Sequence, residues 1–375
     1  MNTIKKIGLT ALGTTLVASS AFAGEISVSG DAGYTWSSET TGGASATPAT
    51  GQDSTVDGVG YNHDISFSGS GELDNGWTVA TGMTIVEDSS LSSSNVKLTM
   101  GSLGSITVGN GTGGIGASYD SVVPTAYEEN HDGMKTSTAI DNMGSLLGNG
   151  GIDYRSPSFD VMGVSASFKY NFTPEAGAAV GEGGVSAGDS HWSSGQALGI
   201  DLSMNGFSVG AYGAEVNLDG GAGTDNSGST TGNSDSDAFD GTWYAKYSAG
   251  PVSIGYQHGY INRGQDGAAS ATTTGTKYVS TATGDFETES MSVAFNVNEN
   301  LSFSWAELEE VYDEGSNTAS GTETADVTME STSIQFAYTM GSMSIKGYQT
   351  DTDNPGWDSD AQSDEITEIA INFAF

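Results

Sequence analysis

Residues 110–150 hold the carboxylates Asp120, Glu128, Glu129, Asp132 and Asp141. They are interleaved with Ile115, Tyr119, Val122, Val123, Pro124, Tyr127, Met134, Ile140, Met143, Leu146 and Leu147. A connection built only to be solvated would be uniformly rich in Gly and Ser. This one carries apolar side chains that need a surface to pack on, and long segments with packed side chains of their own are often functional. Carboxylates held at fixed places on such a segment attract cations and repel anions.

A second acidic group, Asp351, Asp353, Asp358 and Asp360, surrounds Gly356 in "DTDNPGWDSD" with the rhythm of a calcium loop. Pro355 and Gln362 stand where an EF-hand needs Asp or Asn and Glu. The group therefore reads first as a solvated acidic loop and second as a place for Ca2+ or Mg2+; no other cofactor is expected. His63, His131, His191 and His258 lack metal-ligand spacing and read as scattered surface or interior histidines. "GDSHW" (188–192) has the composition of a hydrolase nucleophile site, but its Gly/Ser surroundings offer no strand–turn–helix. No Gly-rich phosphate loop is present. A balance of 10 Lys and Arg against 47 Asp and Glu, net charge -37, opposes nucleic-acid binding. No covalent chemistry is expected, so the chain does not read as an enzyme.

What positions these groups is alternation. In "TEIAINFAF" (367–375), Ile369, Ile371, Phe373 and Phe375 take every second place, with Ala370, Asn372 and Ala374 between them. A strand sends successive side chains to opposite faces, so this is one apolar stripe and one small, polar stripe. The pattern recurs along the chain: Ile26, Val28, Tyr34 and Trp36; Ile65 and Phe67; Trp77 to Ile85; Val96 and Leu98; Leu198 to Met204; Met291 to Val297; Ile334 to Met340. About sixteen strands follow, several of the ~9–11 residues that a tilted strand needs to cross a bilayer. Hydrophobic residues are only 36% of the chain and Gly numbers 55, which is thin for a soluble core. Disorder is opposed by 15 Tyr, 13 Phe and 6 Trp placed mostly in phase.

Tight turns are expected near Asp74–Gly76, Leu103–Gly104, Pro157–Asp160, Asn205–Gly206, Gly250–Pro251, Glu299–Asn300 and Gly341–Ser342. Between them fall longer polar connections at 37–60, 87–94, 110–150, 173–195, 216–240, 262–285, 309–329 and 351–363. Alternation of short and long connections is the layout of an outer-membrane barrel. In lipid every backbone N–H and C=O needs an internal partner, so the sheet must close. The last strand would seal the ring against Ile26–Trp36. Lys97, Arg155, Lys169, Lys246 and Lys346 all fall in the inward phase. Avoidance of lipid accounts for that phase, because a base on the lipid face costs roughly 2–4 kcal/mol at the midplane. Bases across from the loop carboxylates would add a transverse field over the pore. Residues 1–23, with Lys5, Lys6, a short apolar run and Ala21-Phe22-Ala23, read as a cleaved signal peptide, leaving 24–375 as one barrel domain. Cys is absent, so closure rather than disulfides must hold the fold.

"KLTMGSLGSITVGN" (97–110) resembles the hairpin before the constriction loop in the general bacterial porins of Gram-negative outer membranes, with Leu103 where Phe is usual. "IDYRSPSFDVMGVSASFKY" (152–170) resembles the following hairpin, and Phe375 matches the family's last residue. The flavour is closest to alphaproteobacterial members. The resemblance implies a 16-stranded antiparallel transmembrane barrel with an inward-folded third loop, here 110–150. It also implies a homotrimer, and recognition of Phe375 by the barrel-insertion machinery. Function is expected to be diffusion of small polar solutes and ions through the outer membrane with cation preference, given the acid excess. Lipopolysaccharide is an expected neighbour, and divalent ions would bridge it to the acidic loops. The alternative is a secreted, acidic, calcium-binding surface-layer or adhesin-like β protein, which would favour a sequence repeat that is not found. A substrate-specific barrel shares the fold; an aromatic track through Tyr244 and Tyr348 would support it, whereas Tyr170 reads outward.

Overall fold

The period-2 segments all form strands. The structure, a computed structural model, describes residues 26–41, 54–86, 89–110, 114–129, 131, 147, 151–174, 192–218, 237–262, 285–313, 326–359 and 361–375. Residues 1–23, Asp132, Asp141 and Asp360 lie outside them. In chain order the strands are β1 (Ile26–Thr41), β2 (Ser54–Glu72), β3 (Thr78–Ile85), β4 (Leu91–Thr99), β5 (Ser105–Asn110), β6 (Ile152–Arg155) and β7 (Phe159–Val161). Then come β8 (Val164–Thr173), β9 (Trp192–Met204), β10 (Phe207–Leu218), β11 (Ala238–Ala249), β12 (Val252–Asn262) and β13 (Asp285–Asn296). The last four are β14 (Leu301–Asp313), β15 (Val327–Met340), β16 (Met343–Asp353) and β17 (Asp364–Ala374).

Except for β6 with β7, each strand pairs antiparallel with the next in the chain, and β1 pairs with β17. Both β6 and β7 pair with β8 and together fill one place, so the ring is a closed barrel of sixteen. The break between them is at Pro157, which has no N–H for the ladder. Ser156 carries the ladder up to it: its N–H donates to Phe168 O at 2.9 Å, and its Oγ accepts from Phe168 N at 2.9 Å. The chain therefore runs on past Pro157, and the reversal expected at Pro157–Asp160 comes at Met162–Gly163, where φ is 57° and 89°. Asn205 and Gly206, at φ 50° and 86°, make the hairpin turn their sequence suggests. At the seam, Gly30 and Phe375 exchange two backbone hydrogen bonds of 2.9 Å.

Register fixes the two faces. Trp36 lies beside Ile369 and Tyr34 beside Ile371, and the outward row continues through Ile345, Tyr338 and Leu301. Of these, Tyr34, Trp36, Tyr338, Ile369 and Ile371 are exposed in the single chain and Ile345 and Leu301 half-buried; Leu198, Ile200, Leu202, Trp243, Phe303 and Trp305 are exposed too. A continuous apolar exterior of this kind is the surface of a sheet that faces hydrocarbon rather than water. The inward rows are mostly Ser, Thr, Gly, Asn and charge, with apolar side chains such as Tyr212, Phe286 and Leu308 where the interior is packed. The connection read as 37–60 is shorter than its composition suggests, because β1 and β2 pair up to Thr41 and Ser54. Backbone ladders extend there although the Gly- and Ser-rich sequence offers little side-chain packing. The buried apolar cluster lies inside the ring, where Ile115, Tyr119 and Leu147 pack with Ala197, Tyr212 and Val216.

Candidate functional site

The segment 114–129 enters the barrel and is bonded along its inner wall. It begins with a short 3-10 turn, Gly116–Ser118, which places Ile115 and Tyr119 at 1% and 0% exposure against β9 and β10. At its start Arg155 on β6 donates to Ser118 Oγ at 3.2 Å and Gly114 O at 3.4 Å. Further on, the Gln257 amide of β12 accepts from Val122 N at 2.9 Å and donates to Tyr119 O at 2.6 Å and Asp120 O at 2.9 Å. Ser292 donates to Pro124 O at 2.7 Å, and Ala126 N donates to Ser304 Oγ at 2.9 Å. Gln335 on β15 accepts from Tyr127 N at 3.0 Å and donates to Glu129 O at 3.3 Å. A loop without a ladder must find partners for its peptide groups, and here inward amide and hydroxyl side chains supply them.

Two wall carboxylates each hold a pair of phenols. Asp201 on β9 accepts from Tyr119 at 3.0 Å and from Tyr244 of β11 at 2.9 Å, and its Oδ2 is 3.0 Å from Lys169 Nζ on β8. Glu368 on β17 accepts from Tyr127 at 3.0 Å and from Tyr348 of β16 at 3.4 Å. Cations cover the same rings: Lys169 lies 4.2 Å from the Tyr119 centroid, and Lys346 lies 5.0 Å from that of Tyr127. Burial, and then the neighbouring Asp201 charge, push the Tyr119 hydroxyl well above the usual phenol range. Burial and then Glu368 do the same to Tyr127. Both phenols stay protonated donors. Two glycines make room: a Cβ on Gly199 would run into the Tyr119 ring, and one on Gly255 into Pro124 and, at 3.3 Å, Val123 Cα.

Of the carboxylates picked out in the sequence, Asp120 accepts from Ser121 N at 2.8 Å, and Glu129 lies 3.0 Å from His131 Nε2. Glu128 lies beside the Tyr127–Glu368 pair. The five bases share the inward face by register: Lys97 lies between Ala80 and Thr107, Arg155 beside Lys169, Lys246 beside Gly255, and Lys346 between Ala337 and Ala370. Arg155, Lys169 and Lys346 touch the inserted segment, and Lys246 lies 4.9 Å from the ring of Tyr244, which shares Asp201. Lys97, on β4, lies between Ala80 and Thr107.

Asp351 and Asp353 are not loop residues. They occupy alternate outward positions at the end of β16, and Ser363 donates to Asp353. Trp357, between them and Asp358, turns into the interior against Phe286 and Tyr312. Among the described residues no group of three or more His, Asp or Glu side chains gathers to hold an ion. Tyr170 faces outward beside Tyr154 and Leu198, whereas Tyr244 and Tyr348 face the interior. Sequence reasoning passed over Asp201, Gln257, Gln335 and Glu368. Each is a polar residue in the inward phase of an otherwise alternating strand, which was the available signal.

No family model matches the chain, and no curated relative matches it in sequence. Solved structures match along almost its full length. Salmonella typhi OmpF in complex with daunomycin is 14% identical with a TM-score of 0.65, covering 94% of this chain and 98% of that one. The outer-membrane channel DcaP of Acinetobacter baumannii is 11% identical at 0.57, covering 95% and 98%. An anion-selective porin from Comamonas acidovorans is 13% identical at 0.54, covering 94% and 99%. At these identities the likeness establishes the fold, which is that of the sixteen-stranded porins.

Proposed function

We propose that this chain is an outer-membrane diffusion porin that passes small hydrophilic solutes and ions. One observation carries the reading: a closed ring apolar outside and hydroxylic inside, with a segment bonded flat along one side of the interior. A ring that satisfies its own backbone and turns Ile, Leu, Phe and Trp outward is stable in lipid. Its wet interior is a path, and the segment 114–129, with Asp120, Glu128 and Glu129, narrows that path. Discrimination comes from width and charge, with no covalent step. The secreted calcium-binding alternative would leave the apolar exterior facing water.

Cation preference follows from the inward charges. Asp31, Asp64, Asp153, Asp240, Glu310 and Asp364 join Asp201 and Glu368 on the inner face, against five inward bases. The fold does not set the sign, since one structural neighbour is an anion-selective porin. Assembly as a homotrimer, export through residues 1–23, insertion through Phe375 and contact with lipopolysaccharide belong to the same reading. The decisive experiment is single-channel recording of the refolded protein in a salt gradient. Stepwise conductance with a reversal potential of cation sign is expected; anion sign would overturn the selectivity, and absence of steps would overturn the channel.

A further inference from the structure

A recess of about 400 Å3 opens in the inner wall where β16, β17, β1 and β2 meet, next to the tight turn at Gly341–Ser342. Its floor is Gly33. Register places Asn62 on one side of that glycine and Asn372 on the other, with Ser344 and Thr339 continuing the row. A side chain at Gly33 would collide with Oδ1 of both asparagines, so both amides converge above a bare backbone. Asn62 Oδ1 is buried and has no hydrogen-bond partner. A buried acceptor left unmatched marks a place where a donor belongs. Asp31 lines the recess at its turn end and Lys346 at its other end, and they do not pair with each other among the described residues.

From this juxtaposition we infer a solute subsite for short zwitterionic peptides. The ammonium of the solute donates to Asp31 and to the orphan Asn62 oxygen. Its carboxylate accepts from Lys346 and the Ser344 hydroxyl. Strand spacing and rise put the Cα atoms of Asp31 and Lys346 about 16 Å apart, two strands over and four residues along. Their side chains shorten the gap to the span of a short peptide rather than a single amino acid. A neutral polyol would leave both charges unanswered, and a simple anion or cation would answer one. The inference rests on the reading of the interior as a solute-accessible path, and it adds a class of solute to it.

The test is equilibrium titration of glycylglycine into the refolded full chain in detergent, with conductance recorded on the same preparation. Saturable binding is expected, weakened at least about tenfold when N-acetylglycylglycine removes the ammonium, and similarly by Asp31→Asn or Asn62→Leu. Heat-shifted gel mobility shows that each variant keeps its barrel; of the two, Asp31→Asn is nearly isosteric. Equal binding of the acetylated probe, equal binding by Asp31→Asn, or no saturation in the parent protein overturns the subsite. Conductance without binding removes the subsite and leaves the channel. Binding without conductance keeps the subsite and removes the channel.

Discussion

Tyr119 donates its phenolic hydrogen to Asp201 across 3.0 Å, joining the inserted segment to strand β9, 82 residues further along the chain. The same carboxylate takes a second phenol from Tyr244 and an ammonium from Lys169. Hydrogen bonds to a charged partner are worth about 1.5–3 kcal/mol each. Tyr119→Phe is expected to loosen the segment while the barrel persists. In single-channel records this appears as added open-state noise, with heat-shifted mobility unchanged. A record as quiet as that of the parent protein would show that the phenol anchors nothing.

Gly199 tests the same anchor from the wall side. Any Cβ there meets the Tyr119 ring, so Gly199→Val is expected to push the ring and its backbone toward the lumen. The unitary conductance should fall, while Gly213→Val, whose nearest neighbours are 3.7 Å away, should leave it near the parent value. Similar conductance in both would argue against close packing of the segment.

Alkali should release the anchors. Tyr119 and Tyr127 hold their protons more tightly in the folded protein than at the ordinary phenol value of 10.0, because burial and a neighbouring carboxylate disfavour phenolate. The sign follows from linkage: below that value neither state ionises and docking is at full strength. Above it the undocked segment loses protons that the docked one keeps, so docking weakens as pH rises. Channel noise is expected to be flat from about pH 7 to 9 and to rise above about pH 10. Onset near neutrality would point to a different group.

Lys97, on β4 between Ala80 and Thr107, differs from the bases that touch the inserted segment. Lys97→Glu is therefore expected to strengthen cation selectivity without altering noise, read as a shift of the reversal potential in a salt gradient. Lys169→Met, by contrast, strips Asp201 of its ion pair and should raise noise. An unchanged reversal potential in Lys97→Glu would place that residue out of reach of the permeating ions.

The outer face carries its own prediction. Ile371 faces outward between Ile369 and Phe373, and Ile371→Lys is expected to cost about 2–4 kcal/mol in lipid vesicles if it lies near the midplane. Asn372→Lys, one residue on and facing inward, should cost far less. Denaturant titration in vesicles compares the two, and equal penalties would contradict the assignment of faces.

Much of this was legible because one face of a strand in lipid is severely constrained. The phase of Lys97 or Ile371 is fixed by its immediate neighbours, and a period of two needs only those. Ile115 and Tyr119 were legible as residues in want of a surface. The surface itself was not, since Asp201 and Gln257 reach Tyr119, and Glu368 reaches Tyr127, from strands distant in sequence, and no local pattern announces such a meeting. The Pro157 break was misplaced for a related reason. Proline usually marks a turn, but the Ser156 hydroxyl takes over a ladder bond, and Gly163 supplies the positive φ that the reversal needs.

Arg155, Asp201, Gln257, Ser304, Gln335 and Glu368 all come after residues 114–129 in the chain. The inserted segment thus precedes in the chain every strand that holds it, the last of them β17. A ring without β17 lacks the partner that Tyr127 needs. Full docking of 114–129 therefore needs the closed ring, and the docked segment is expected to resist a protease that nicks it in the unfolded protein.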